Sequence, residues 1–264
     1  MLNCYHTHTH RCKHAEGTDE EYIIKAIAEG VRVLGFSDHA PFIYPDGSVS
    51  YYKMTPSEAG EYFTSLRALA DKYKDKIQIL VGYEAEYYPD LWEETLNFWR
   101  STNPPDYLIL GQHHAGEEYI KDPKPSRIKT DSEETLKEYV DLVIAGVETG
   151  RFTYVAHPDL INYIGNPEIY DREIKRMLGA ISDMKMPIEY NLLGLVTKRN
   201  YPNERFLELA RGFDLSVVLG CDAHEPSRVA SKEEIKIAVE HISSFGLKLV
   251  DEVKIVDPFA RDIK

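Results

Sequence analysis

Short apolar runs alternate with longer amphipathic stretches along most of this chain. Residues 31–37 are apolar and β-branched, bounded by Gly30 and by Asp38-His39, which predicts a buried strand. Comparable runs predict strands over 2–5, 77–83, 107–110, 152–156, 187–191 and 215–220. Between them, apolar positions recur at helical spacing over 19–30, 56–76, 90–100, 132–149, 168–184, 203–211 and 231–245. Thr18 precedes the first of these helices with Glu21 three residues on, the arrangement of a capping box. Pro56 suits the first turn of the second. Residues 40–55 (Pro41, Pro45, Asp46-Gly47 and several tyrosines) and 115–131 (Pro123 and Pro125) read as loops, and 247–256 as an extended tail.

Repeated β-α units favour a parallel sheet. Six of the seven predicted strands run into a histidine or carboxylate at their carboxyl end: His6, His39, Glu84, His113, His157 and Asp222. The exception ends in Glu189-Tyr190-Asn191. In a closed parallel barrel that end is the catalytic face, whereas an open doubly wound sheet gathers its site at one switch point. Polar strand ends all round therefore favour an α/β barrel of the TIM type, and no linker or composition shift divides residues 1–264.

The length of 264 residues suits one such domain. A net charge of −13 argues against an extended nucleic-acid surface but leaves room for a small phosphorylated substrate, since bound cations would reverse the local field. The three cysteines, Cys4, Cys12 and Cys221, match no Cys-x-x-Cys zinc site. No basic-then-apolar leader stands at the N-terminus, and no apolar run approaches the ~20 residues of a membrane span. The expectation is cytoplasmic residence with reduced thiols, away from membranes.

Seven of the ten histidines fall at strand ends, and Glu84 and Asp222 join them there. Neutral imidazole and ionised carboxylate hold zinc, iron or manganese. So many at one face predict a site with more than one metal ion. Clustered metals clamp a phosphate ester and generate the attacking hydroxide, so phosphate-ester hydrolysis is the leading chemistry.

The ordered set His6-x-His8, His14, Ser-Asp-His39, Gly-x-Glu84, His113, His157-Pro158 and Gly-x-Asp222-x-His224 resembles the PHP (polymerase and histidinol phosphatase) superfamily across essentially the whole chain. Residues 9–17, Gly82-Tyr83-Glu84-Ala85-Glu86 and Gly220-Cys221-Asp222-Ala223-His224 resemble its histidinol-phosphatase branch. The resemblance implies a distorted seven-stranded (β/α)7 barrel. It also implies a centre of two to three divalent ions (zinc, manganese or iron) and hydrolysis of L-histidinol phosphate to histidinol and phosphate. Carried over residue by residue, it places a first ion on His6, His8, Glu84 and Asp222, and a second on Glu84, His113 and His157. A third falls to His14, His39 and His224, and Asp222, Glu84 and His157 bear most directly on catalysis.

Two stretches depart from the branch. His157-Pro158-Asp159-Leu160 replaces a His-Leu-Asp-Leu segment, and Val196 stands where an arginine that grips phosphate is expected. Lys198 or Arg199 is the candidate substitute, with His10 a further substrate contact or simply an exposed loop histidine. Asp38, Glu86 and Asp159 are expected to orient ligand rings. His114 competes with His113 as the ligand, and the Gly-x-His spacing favours His113. The basic loop of Lys121, Lys124, Arg127 and Lys129 reads as solvated, Tyr44, Tyr51 and Tyr52 as an aromatic wall or a barrel cover, Cys221 as packing and His241 as surface.

Three other functions stay in view. The same site could serve another small phosphomonoester such as a nucleotide, sugar phosphate or phosphotyrosine. A polymerase-associated nuclease fits the acidic composition poorly. A non-catalytic metal-binding module fits the intact ligand set poorly. The sequence leaves the oligomeric state open.

Overall fold

The apolar runs form parallel strands and the amphipathic stretches form helices, in the order β1 (Asn3–Cys4), α1 (Asp19–Glu29), β2 (Val33–His39), α2 (Ala59–Tyr73), β3 (Gln78–Ala85), α3 (Trp92–Thr102), β4 (Leu108–Leu110), α4 (Glu133–Glu148), α5 (Pro167–Asp183), β5 (Ile188–Asn191), α6 (Leu192–Val196), α7 (Glu204–Ala210), β6 (Ser216–Gly220), α8 (Lys232–Ser244) and β7 (Lys248–Val250). The computed structural model describes residues 3–116, 118 and 123–260. Leu2 of the first predicted strand and Lys121 of the basic loop lie outside them. Thr18 forms the anticipated capping box with Glu21, and Gly30 ends α1 in the left-handed conformation. The second predicted helix divides into a 3₁₀ turn, Pro56–Glu58, and α2.

Four strands pair in the order β1-β2-β3-β4 and three in the order β5-β6-β7, every neighbour parallel. The predicted strand over 152–156 is reduced to bridges at Val155, which pairs with Leu110 on one side and Ile188 on the other. The segment still bonds along β4, with Thr153 N donating to Leu108 O at 2.8 Å, Leu110 N to Tyr154 O at 3.0 Å and Ala156 N to Leu110 O at 2.9 Å, and His157, with φ of 30°, ends the extended chain directly after Ala156. At the far side Thr7 bridges to Ala223, where His8 N donates to Ala223 O at 3.0 Å. The predicted tail contributes β7, whose Lys248, Leu249 and Val250 pair with Ser216, Val217 and Val218. The result is an α/β fold around a curled parallel sheet.

Alternate residues of each strand face two different cores. Leu108 and Leu110 join the large cluster that packs sheet against helices, with Phe36, Val81 and Val217. Tyr107 and Ile109 join Tyr5, Tyr154, Ala156 and Val218 in a second cluster on the other face. That face is concave, so the apolar plug fills one end of the curl. The carboxyl ends of the strands converge at the other end. Among the described residues, no helix is long and apolar enough to cross a membrane.

Candidate metal centre

The strand order delivers the polar residues to one place. The β2–β3 register sets His39 beside Glu84, and the Thr7–Ala223 bridge sets His6 and His8 beside Asp222. His6, His8, Glu84, His157 and Asp222 are all buried. Two of them, His157 and Asp222, have left-handed backbones, with φ of 30° and 46°. Such strain persists only where the surroundings enforce it, and it gathers at functional sites.

Five imidazoles share one arrangement: Nδ1 bonded to the protein, Nε2 left for the cluster. His6 Nδ1 donates to Glu189 Oε2 at 2.7 Å, and His8 Nδ1 to Asp38 Oδ1 at 3.3 Å. His113 Nδ1 donates to Glu86 Oε1 at 3.0 Å. His14 and His224 donate to the carbonyls of Cys12 (2.7 Å) and Asp222 (3.0 Å). Carboxylates and carbonyls only accept, so each Nδ1 must carry the proton. An outer acceptor fixing the tautomer is the arrangement seen behind metal-ligating histidines.

The freed nitrogens crowd together. His6 Nε2 and His8 Nε2 are 3.2 Å apart, and Asp222 Oδ1 is 3.0 Å from His8 Nε2. Glu84 Oε2 lies 3.5 Å from both of these nitrogens and 3.0 Å from His39 Nδ1. Its other oxygen, Oε1, lies 2.7 Å from His157 Nε2 and 3.4 Å from His113 Nε2. Glu84 thus stands between two groups of imidazoles. His14, His39 and His224 form the third group, with ring centroids 4.6 to 6.2 Å apart. The structure therefore brings together all nine residues that the sequence pointed to.

Two facts suit this donor set to divalent cations. His224 Nε2 is shut from solvent with no hydrogen-bond partner, and Glu84 Oε2 and His39 Nδ1, 3.0 Å apart, are shut from solvent without an aligned hydrogen bond. Buried polar atoms left in that state are costly unless an ion takes them up. Imidazole nitrogen and carboxylate oxygen are also the donors that zinc, manganese and iron accept. Cys12 adds a buried thiol, since its Sγ and donor nitrogens of His14 and His224 lie within 4.8 Å of one another.

The electrostatics divide the histidines. Burial alone would push the imidazolium of His6 down, but Glu189, Asp222 and Glu84 outweigh it and raise its pKa well above the usual value. At His8, Asp222 and Asp38 outweigh burial in the same direction. His39 and His224 go the other way because burial prevails, His224 falling to about 3. Burial opposes the charged forms of Glu84 and Asp222 too. The surrounding imidazoles reverse this and hold both carboxyls well below the ordinary range.

Several expectations are corrected. Asp159 orients no imidazole; its Oδ2 accepts from Asn203 N at 2.6 Å, and burial pushes its pKa up to about 6. Glu189, given no role from sequence, takes that position on His6 instead. The signal was present, since it ends the one predicted strand without a ligand. Gly220 makes room for it: a Cβ there would stand 2.1 Å from the Glu189 carboxyl carbon. His10 is 58% exposed and its ring approaches Asp19 at 4.0 Å, not the cluster. His114 turns to Tyr52, with Nδ1 3.3 Å from the phenolic oxygen, which leaves His113 as the member of the cluster. Of the three tyrosines only Tyr52 faces a candidate ligand, its ring edge-on to His39 at 5.8 Å; Tyr51 is 94% exposed, and Tyr44 donates to Glu118. His241, read as surface, bonds to Tyr190 OH at 2.7 Å. Lys124 of the basic loop pairs with Glu138 at 2.8 Å. Cys221 is packed, accepting from Ala230 N.

Of the two cations offered for phosphate, Lys198 is exposed, while Arg199 donates from Nη1 to Tyr201 OH at 2.7 Å. Sequence reasoning also missed Lys53. It is buried in the 40–55 loop, with Nζ 2.8 Å from Glu86 Oε1 and 2.5 Å from Glu118 Oε2. A lysine among loop tyrosines carries no sequence signal of burial.

A fold of parallel strands and helices whose strand ends gather nine imidazole and carboxylate donors defines a metal-binding α/β protein. The PHP domain family model matches residues 5–192, and the chain belongs to that family. The chain is 25% identical over 252 residues to the "Probable histidinol-phosphatase" of Deinococcus radiodurans, covering 93% of this chain and 94% of that one. It is 25% identical over 237 residues to the "Histidinol-phosphatase" of Lactococcus lactis, covering 85% and 84%. Its fold is similar to the crystal structure of histidinol phosphate phosphatase from Lactococcus lactis complexed with zinc, L-histidinol and phosphate. The TM-score is 0.72 with 22% identity, over 97% of both chains.

Proposed function

We propose that this chain is a metal-dependent histidinol-phosphatase that hydrolyses L-histidinol phosphate to L-histidinol and phosphate. In this reading the curled sheet is a distorted seven-stranded barrel whose carboxyl face binds two to three divalent ions, zinc among them. The observation that carries it is the shared orientation of five imidazoles, each with Nδ1 tied outward and Nε2 directed into a cluster with Glu84 and Asp222. Curated relatives named for this activity over most of their length support the choice of substrate.

Metal ions bound there would neutralise the ester oxygens and lower the pKa of water towards neutrality. The protein's own part is positional. His6, His8, Glu84 and Asp222 would hold one ion. Glu84, His113 and His157 would hold a second, so that Glu84 serves both. His14, His39 and His224 would hold a third. Glu189, Asp38 and Glu86 fix the rings of His6, His8 and His113. Arg199 at the rim is the candidate contact for phosphate.

Val196 in place of the expected arginine favours a second reading, a different small phosphomonoester at the same centre. The test is phosphate release by protein of known metal content from L-histidinol phosphate, nucleotides, sugar phosphates and phosphotyrosine. The proposal requires kcat/KM for L-histidinol phosphate to exceed the others by at least about a hundredfold, a margin that apolar pocket contacts alone can supply and that polar contacts surpass. A flat profile, or preference for another ester, overturns the choice of substrate.

A further inference from the structure

The strap between β5 and α7 is bonded to the centre at one end and braced at the other. Asn191 Nδ2 donates to Asp222 Oδ2 at 3.1 Å, while its Oδ1 accepts from Gly194 N at 2.8 Å. Arg199 N donates to Gly194 O at 3.0 Å, so the chain returns to the same glycine five residues later. Gly194 lacks a Cβ of necessity, because one built there would stand 2.4 Å from the ring of Tyr201. Beyond the tyrosine, Asn203 N donates to Asp159 Oδ2 at 2.6 Å and Asn200 Nδ2 to Leu160 O at 2.9 Å.

Tyr201 is the pivot of this strap. It is 2% exposed, and its ring centroid lies 5.8 Å from that of His157. Its hydroxyl accepts from Arg199 Nη1 at 2.7 Å. Arg199 itself is exposed, and an exposed arginine samples many rotamers. Bracing one Nη leaves the remaining donors of the planar fork to meet an anion with less entropy lost. Because the Tyr201 ring stands 5.8 Å from that of His157, the hydrogen bond to Tyr201 OH ties the guanidinium to the edge of the cluster.

We propose that Tyr201 is a positioning residue whose hydroxyl holds Arg199 in the orientation that grips a phosphate group at the mouth of the cluster. The brace gives this strap its own anion grip at a position three residues beyond Val196. The inference rests on reading the cluster as a phosphatase centre. It does not depend on which phosphomonoester is hydrolysed.

The experiment is calorimetric titration of inorganic phosphate into zinc-loaded protein, for the parent, Tyr201→Phe, Arg199→Met and the double variant, with steady-state kinetics alongside. Tyr201→Phe keeps the ring that packs on Gly194. It is expected to retain fold and zinc content and to bind phosphate about tenfold more weakly, the scale of one hydrogen bond to a charged group. Its KM should rise with kcat nearly unchanged. Adding it to Arg199→Met should cause no further loss. Arg199→Lys, a change at an exposed site, keeps the charge without the fork and should also weaken phosphate binding, so the idea stays open to refutation if Tyr201→Phe folds poorly. Unaltered phosphate affinity in Tyr201→Phe or Arg199→Lys, or full additivity in the double variant, overturns the proposal. A protein that shows this coupling and leaves L-histidinol phosphate intact would refute the substrate assignment alone.

Discussion

His6 Nε2 and His8 Nε2 face each other at 3.2 Å, and each ring has already committed its Nδ1 to a carboxylate, Glu189 or Asp38. Two lone pairs at that distance repel. A shared proton or a metal ion in front of both relieves the repulsion, and Asp222 Oδ1 and Glu84 Oε2 beside them make the surroundings those of a cation. The pair is therefore a place where protons and metal ions compete.

That competition gives a pH dependence of known sign. The carboxylates raise the pKa of His6 and His8 well above the usual value, outweighing burial, so a proton on this pair competes with a metal ion. Zinc binding should release protons, and affinity should fall as pH falls. Calorimetry in buffers of different ionisation enthalpy reads this directly, as an apparent binding enthalpy that changes with the buffer. A buffer-independent enthalpy would contradict it. Ions at His39 and His224 displace little, since burial already keeps those rings neutral.

Glu189 should matter as much as an outer carboxylate behind a ligand ordinarily does. Glu189→Gln keeps the shape and removes the charge that holds His6 in its tautomer. Zinc affinity, measured by competition with a chelating dye, should drop about tenfold or more. An unchanged affinity would show that His6 does not depend on it.

Lys53 is the cation on which the buried Glu86 and the partly buried Glu118 rely. Lys53→Met would leave Glu86 and Glu118 uncompensated and should destabilise the protein by about 3–5 kcal/mol in urea unfolding at neutral pH. The pH dependence follows. Burial tends to raise Glu118, but Lys53 outweighs it and holds the group at about 2 against an ordinary 4.5. A depressed pKa stabilises the folded state above 4.5 and loses that contribution as pH falls from there towards 2. In Lys53→Met this part of the acid sensitivity should vanish, and parent-like acid sensitivity would refute the role.

Much of this was legible in the sequence because parallel β-α units place their strand ends on one face. His39, Glu84, His113, His157 and Asp222 each end a short apolar run, so their convergence follows from the strand pattern. What was not legible depends on contacts between distant segments. Asp159 and Glu189 are both carboxylates near strand ends, and only the packing shows that one anchors the strap at Asn203 while the other reaches His6. Lys53 looks like an ordinary loop lysine until the loop folds it beneath Tyr52 and between Glu86 and Glu118. The 152–156 segment has strand composition and does bond to β4 and β5, although regular bridges form only at Val155, before the left-handed turn at His157. β7 lies in the stretch that reads as an extended tail, and at three residues it is too short to announce its pairing with β6.

The most direct test of the central claim is turnover of L-histidinol phosphate by zinc-loaded parent protein and by Asp222→Asn, with circular dichroism confirming the fold. Asparagine tolerates the left-handed backbone at this position and nearly matches aspartate in shape, so the substitution removes mainly a charged candidate ligand. Activity should fall by more than the roughly hundredfold that loss of an outer carboxylate causes, with the fold retained. A folded Asp222→Asn protein that turns over the substrate like its parent would contradict the metal centre as the seat of catalysis.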